Sequence, residues 1–320
     1  MNQISQGYEG VILAAGGGSR IRPLSSSFPK PMLPICNKPI IHYQVEQLAS
    51  LGIRKIFIVC GQLQDIFYKY FGSGERWGVS IEYIRQEKPL GIAHAIAQVE
   101  PVVSRPFILF LGDIFFITRD LSRMIDLFER RLASAVLGVK QEPDPEYIRR
   151  NYAVMLHESG LVRRVVEKPR YSRSNLKGCG IYLFDLPFFD AVRRTPRTAM
   201  RDEYEATSAI QILIEDGYPV YSSEIIDWDM NITFIEDLLL CNLKVLDQLG
   251  SECVIGENAS IHPQARIRRS VIGDKVVIHH PITVQDSVIL ADTHIQEQRD
   301  ISGSLVGPGF QYTQPQEVIS

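Results

Sequence analysis

The sequence reads as an α/β protein with a mixed, mostly parallel sheet, followed by a short left-handed parallel β-helix. Three observations lead there. Apolar, strand-like runs alternate with helical segments through the first half of the chain, at the spacing of βαβ units. The first of those runs meets a glycine-rich turn at Gly16-Gly17-Gly18. Beyond Gly250, branched aliphatics recur with a regular period that fits neither helix nor ordinary strand.

In chain order, Val11 to Ala15 is an apolar run that reads as a buried strand. The glycines after it release the backbone into conformations closed to residues with a Cβ. Asn37 is expected to cap a helix through about Leu51, with Ile41, Val45 and Leu48 on one side and Gly52 as the stop. Ile53 to Cys60 reads as a second strand, Leu63 to Phe71 as a helix, and Val79 to Arg85 as a third strand. A helix from about Ile92 and the strongly apolar strand Phe107 to Leu111 complete this part. In such sheets ligands gather at the carboxyl ends of strands, a rule that places Gly16 to Arg20, Gln86 to Gly91 and Asp113 on one rim. From Ser134 strands dominate: Ala135 to Val139, Tyr152 to Leu156, Leu161 to Val166 and Gly180 to Phe184. Helices are expected from Arg201-Asp202-Glu203-Tyr204-Glu205 to about Ile214 and from Phe234 to Leu249, ended by Gly250.

The tail then carries Ile255, Ile261, Ile267, Ile272, Ile278, Val284, Ile289, Ile295, Ile301 and Val306, in steps of six, six and five. This hexapeptide pattern fits a triangular coil in which each flat face contributes one inward aliphatic. The expected division is a domain over 1–250 and about three coils over 251–320. So short a stack favours association, so a homo-oligomer is expected.

Composition narrows the function. The chain has 320 residues, 45% of them apolar, and no run approaching the eighteen apolar residues of a membrane span. Met1 to Tyr8 is short and polar, unlike a signal peptide, so a cytoplasmic protein without a membrane partner is expected. Five cysteines without Cys-x-x-Cys spacing suggest neither disulfides nor zinc. A net charge of −3 spread along the chain argues against nucleic acid as partner. The basic run Arg163, Arg164, Lys168, Arg170 and Arg173 reads as a site for small phosphates or as a solvated face.

The glycine turn can aim backbone N–H groups at phosphate oxygens, and Arg20, Arg22 and Lys30 add charge where polyphosphate would lie. It is not the dinucleotide fingerprint, because Pro23 blocks an early helix, and it lacks the Gly-Lys-Ser/Thr of a P-loop. The string from Gly10 to Ile35 resembles the signature of the nucleotide-sugar pyrophosphorylases, or sugar-1-phosphate nucleotidylyltransferases, in which Gly-x-Gly-x-Arg-hydrophobic-x-Pro-Leu leads to Pro-Lys-Pro. The resemblance implies a Rossmann-like nucleotidyltransferase domain. It implies nucleotide binding by Leu13, Ala14, Ala15, Gly16, Gly17, Gly18 and Ser19, and catalysis aided by Arg20 and Lys30.

Further motifs extend it. Gln86-Glu87-Lys88-Pro89-Leu90-Gly91-Ile92-Ala93-His94-Ala95 resembles the base-reading segment, which implies that Gln86 meets a pyrimidine edge and that Gly91 lets backbone approach the base. Leu111-Gly112-Asp113 resembles the motif holding a magnesium ligand. Glu167-Lys168-Pro169, preceded by Tyr152-Ala153-Val154, resembles the sugar-phosphate segment, implying sugar contacts from Tyr152 and Glu167 and a phosphate contact from Lys168. Trp228-Asp229-Met230-Asn231-Ile232-Thr233, ahead of Glu236-Asp237-Leu238, resembles the family's Asn-x-Asn-Thr-Pro-Glu-Asp-Leu, and the resemblance implies Asn231 as the second Mg²⁺ ligand, with Asp229 as the alternative. Three departures stand out: Ala153 for a glycine, Ser208 for an aspartate, and Phe234-Ile235 for Thr-Pro.

The implied reaction joins a nucleoside triphosphate and a sugar 1-phosphate to give a nucleotide sugar and pyrophosphate. Attack is in line on the α-phosphorus, and no general base is needed. Gln86 points to UTP or dTTP, and glucose 1-phosphate is the commonest sugar partner in the family. Two rivals remain: a non-catalytic regulatory relative, for which the departures speak, and a bifunctional acetyltransferase using His262, His279, His280 or His294.

Overall fold

The structure is a computed structural model that describes residues 7–16, 21, 23–24, 28–172, 174–199 and 201–315. The chain forms two compact units, Met1–Gly17 with Tyr43–Asp229, and Gly18–His42 with Met230–Ser320.

The first unit is built on a nine-stranded mixed sheet. Its parallel part holds the strands Phe107–Leu111, Glu9–Ala14, Lys55–Cys60 and Ser80–Arg85 side by side in that order. Every residue of Glu9–Ala14 is buried, as expected of a strand covered on both faces. Chain order reverses around it, since the second strand lies on one side of Glu9–Ala14 and the fourth on the other. The carboxyl end of Glu9–Ala14 is therefore a topological switch point, where α/β sheets open a crevice. The antiparallel part adds Leu176–Phe184, Tyr152–Leu156, Val162–Glu167 and Ala135–Gln141, and Val220–Glu224 pairs with the last of these in parallel. Among the buried side chains filling one face are Phe57, Leu109, Phe184, Phe188 and Ile210.

Several elements differ from the sequence reading, among them the helix expected from Arg201, which begins at Ala206, and two more that bear on the site. Asn37 does not cap a helix. With Cys36 it makes the turn of a hairpin between Pro34–Ile35 and Lys38–Pro39, both residues at positive φ (46° and 65°), and the helix is Ile40–Ser50. Asparagine tolerates the left-handed region, which is why one residue type serves both roles. The apolar stretch after Asp113 is a separate strand, Ile114–Thr118, paired with Ile226–Asn231 in a two-stranded sheet.

In the second unit the helix Ile235–Gln248 precedes a β-helix-like stack of short parallel strands. The registers Cys253↔Ser270, Ser260↔Val277 and Arg266↔Thr283 each advance by 17 residues, and Val271↔Val288, Val277↔His294 and Val284↔Ile301 repeat that step. Ile272, Ile278, Val284, Ile289, Ile295, Ile301 and Val306 form its buried core, with Ile261 and Ile267 packed against it. Ile255, at the start of the stack, is half exposed (50%). The antiparallel strand Phe310–Thr313 pairs with Ser304–Gly307 and finishes the sheet it joins.

The hairpin of this unit is tied down twice. Asn242, fully buried in the helix, accepts the Cys36 N–H (2.7 Å) through Oδ1 and donates from Nδ2 to the carbonyls of Pro34 (3.0 Å) and Leu238 (2.9 Å). Asn37 Nδ2 donates to the carbonyl of Ile272 in the stack (2.7 Å). The five cysteines are free thiols; burial pushes Cys36 up to about 11 and Cys60 up to about 12, which makes both poor nucleophiles. Among the described residues no helix is long and apolar enough to cross a membrane.

Candidate active site

The rim at the switch point gathers what the sequence read as the nucleotide side. Leu13 and Ala14 end the first strand in the core, Ala15 is half-buried and Gly16 is exposed. Gly17, Gly18, Ser19 and Arg20 lie outside the described residues, as do Arg22 and Arg173. Asp113 sits on the next strand end, half-buried, in a two-residue turn between Phe107–Leu111 and Ile114–Thr118. The turn is held from both sides. Gly112 N–H donates to the Leu13 carbonyl (2.9 Å), and the buried Gln44 Nε2 donates to the carbonyls of Leu111 (2.9 Å) and Ile114 (3.0 Å). Gln44 was not singled out in the sequence; only its place on the apolar side of a helix could have marked it.

On the other flank, Gln86 follows the strand Ser80–Arg85 and donates its N–H to the Cys60 carbonyl (2.8 Å). Its side chain is buried, with Nε2 2.7 Å from His94 Nδ1. Gly91 has φ +114°, and a Cβ there would lie 2.5 Å from the Tyr204 carbonyl oxygen. The backbone of Tyr204 is clasped on both sides, its N–H donating to Leu90 O and its carbonyl accepting from Ala93 N–H, each at 2.8 Å. The glycine is thus required by the neighbouring main chain at Tyr204.

A third group lies at the end of Val162–Glu167. The Glu167 carboxylate accepts from Thr207 Oγ1 (3.2 Å) and has Arg201 Nη1 at 3.7 Å and Lys168 Nζ at 3.9 Å. Arg201 also pairs with the buried Glu205 (3.1 Å). Burial pushes the Glu167 carboxyl up to about 7, the nearby Glu205 charge adds to this, and the two cations oppose it. Lys168 adopts a positive φ of 41° just before Pro169, a backbone state that costs about 1 kcal/mol or more and is common at ligand sites. Tyr152, opposite Glu167 in the strand pairing, is buried: its ring stacks near Tyr182 (6.1 Å) and covers Gly178, where a Cβ would fall 1.8 Å from it. It supports the strand that carries Glu167. Arg201 and Thr207 sit in the stretch whose sequence reads as a helix opening and resembles the family's Glu-x-x-x-Thr-Asp segment, neither of which assigns them to Glu167.

Asp229 is occupied. Both its oxygens meet the buried Lys177 Nζ (2.7 and 2.9 Å), and Lys140 Nζ lies 3.3 Å from one of them. Glu142 completes the network, 3.0 Å from Lys140 and 3.5 Å from Lys177. Two ammonium groups and two carboxylates cancel, as buried charge requires. Both oxygens of Asp229 are thus taken up by ion pairs.

Lys30 and Asn231 belong to the second unit. Lys30 opens a single 3-10 turn, Lys30–Met32, bracketed by Pro29 and Pro31 and anchored by the buried Pro31 and Met32. Asn231 is half-buried and its Oδ1 accepts from Thr233 Oγ1 (3.3 Å). The departure at Phe234 has a structural answer. Phe234 offers no capping oxygen to the helix Ile235–Gln248, and the Asp237 carboxylate accepts the N–H groups of Thr233 (2.8 Å) and Phe234 (2.7 Å) instead. Among the described residues no three His, Cys, Asp or Glu side chains group as a metal site.

Residues 9–244 match the family described as Nucleotidyl transferase. The chain is similar to a glucose-1-phosphate thymidylyltransferase of Streptomyces griseus, 31% identical over 303 residues that cover 93% of this chain and 80% of that one. It is also similar to UTP--glucose-1-phosphate uridylyltransferase AglF of Haloferax volcanii, 33% identical over 229 residues, 72% of this chain and 93% of the relative. Among solved structures, a UDP-glucose pyrophosphorylase complexed with UDP-glucose shares the fold, with a TM-score of 0.67 at 23% identity, over 75% of this chain and 99% of that one.

Proposed function

Because the chain belongs to the nucleotidyl transferase family, we propose that it is a sugar-1-phosphate nucleotidylyltransferase that joins a nucleoside triphosphate, UTP or dTTP, to glucose 1-phosphate and releases pyrophosphate. The observation that carries this is the switch-point rim of the first unit, where the end of Glu9–Ala14, the Gln86–Gly91 segment and the braced Asp113 turn all follow carboxyl ends of parallel strands in one sheet. The names of the relatives, thymidylyl- and uridylyltransferases both, support a pyrimidine nucleotide.

Residue roles follow from charge and chemistry. Gln86 reads the base, and Gly16 to Ser19 cradle phosphate. Arg20 and Lys30 neutralise the β- and γ-phosphates and the departing pyrophosphate. Glu167 meets sugar hydroxyls, with Tyr152 behind it, and Lys168 holds the attacking phosphate, whose oxygen is ionised near neutral pH, so positioning and charge carry the rate. Asp113 and Asn231 offer only hard oxygen donors, which suits Mg²⁺ with its preference for one or two protein oxygens plus phosphates and water. When bound, the ion would neutralise phosphate charge in the displacement. The catalytic domain spans 1–250, and the 251–320 stack is a left-handed hexapeptide β-helix that supports assembly of a cytoplasmic homo-oligomer.

The test is pyrophosphate release from five nucleoside triphosphates against a panel of sugar 1-phosphates. Turnover with UTP or dTTP and glucose 1-phosphate is expected, and absence of pyrophosphate from every pairing would end the reading.

A further inference from the structure

A carboxamide reads a base with whichever end it presents. Its oxygen accepts and its NH₂ donates, so a glutamine free to rotate recognises uracil and cytosine alike. Uracil and thymine carry a hydrogen on ring nitrogen N3, whereas cytosine carries a lone pair there. Selectivity then requires that something fix the amide.

Gln86 is fixed on one side. Its side chain is 4% exposed, its backbone is pinned to Cys60, and its Nε2 lies 2.7 Å from Nδ1 of His94. Among the described residues no donor meets its Oε1. His94 is itself held: it lies on the helix Ile92–Ala97, which starts at Gly91 and is docked by Ala93 N–H to the Tyr204 carbonyl. The Tyr204 ring stacks along the imidazole at 6.3 Å and 27°. Gln98 Nε2 donates to the His94 carbonyl (3.1 Å), fixing the helix turn that follows.

We infer that His94 is the specificity-determining positioning residue of the base site: its Nδ1 accepts the Gln86 amide hydrogen, which commits Gln86 Oε1 to the base and selects N3–H pyrimidines, uracil and thymine, over cytosine. Burial lowers the pKa of His94, so the neutral ring with a lone pair on Nδ1 is the form present near pH 7. The inference rests on the reading that Gln86 faces the base. His94 acts through Gln86 and needs no contact with the nucleotide.

The experiment compares kcat/KM for UTP and CTP, with glucose 1-phosphate saturating, in the full-length enzyme and in His94→Leu, His94→Asn and Gln86→Ala. His94→Leu releases the amide, and the UTP-to-CTP ratio should fall about three- to tenfold, the worth of one oriented hydrogen bond. The KM for glucose 1-phosphate should stay put. His94→Asn places a carboxamide oxygen near the Nδ1 position and should restore most of the ratio. A His94→Leu enzyme with the parental ratio would overturn the inference. A Gln86→Ala enzyme with the parental ratio would instead sink the base-reading role of Gln86, so the two failures are told apart. If His94→Leu does not fold, ¹⁵N spectra of the labelled parent decide: an unprotonated, hydrogen-bonded Nδ1 is expected, and a protonated Nδ1 overturns the proposal.

Discussion

Replacing Asp229 with alanine strands a buried cation. Lys177 is 1% exposed, and its ammonium meets both oxygens of Asp229 at 2.7 and 2.9 Å, with Glu142 farther away at 3.5 Å. At an effective dielectric of about 20, a unit pair 2.7 Å apart attracts by roughly 6 kcal/mol, most of it offset by the desolvation of both ions. What the mutation exposes is that desolvation, uncompensated. The expected loss is about 3–5 kcal/mol. The double variant Asp229→Ala with Lys177→Met removes both charges and should recover most of it. Urea unfolding of the parent, the two single variants and the double variant measures this, provided the denaturant slopes agree. A single Asp229→Ala cost under about 1 kcal/mol, or a double variant as unstable as the summed singles, would refute the reasoning.

Glu167 titrates at about 7 in the fold against 4.5 in its ordinary state, so between those values the folded chain holds the extra proton and stability falls as pH rises. With solvent screening allowed for, Glu167→Gln should remove about 1–2 kcal/mol of that decline between pH 5 and 8, read as a flatter plot of melting free energy against pH. Asn242→Ala leaves one N–H and two carbonyls without their side-chain partner and should cost about 2–4 kcal/mol in thermal or chemical unfolding; a loss below ~1 kcal/mol would mean the hairpin does not depend on it. Lys30→Ala and Asp113→Ala should each lower turnover on the order of a hundredfold with little change in melting temperature, and near-parental turnover in either would remove that residue from the catalytic set.

The parts of the fold legible in the sequence are those where one periodicity meets one environment. Ile267, Val284 and Ile301 recur at fixed spacing because each must fill the same interior position of successive coils, and the parallel registers repeat that spacing. The strand Phe107–Leu111 announced itself by being apolar throughout. Ile114–Thr118 did not, since it is equally apolar and lies only two residues on, so its separate pairing had no local signal. The Asp113 turn could be placed at a strand end, but the Gln44 brace joins residues 67 and 70 positions apart and leaves no pattern. Lys177 is the clearest case: a lysine inside a nine-residue strand that is buried throughout reads as an anomaly until its partner, 52 residues away, is known. Gln86 and His94, only eight residues apart, were both visible, and what sequence could not supply was that a strand end and a helix turn set them face to face.

The hairpin of the second unit also imposes an order on biosynthesis. Cys36 leaves the ribosome 206 residues before Asn242, and Asn37 leaves 235 residues before Ile272. At about 5–20 residues per second, the segment following Lys30 waits roughly 10–50 s for the side chain and the strand that hold it. Nascent chains therefore spend most of their synthesis with this loop unanchored.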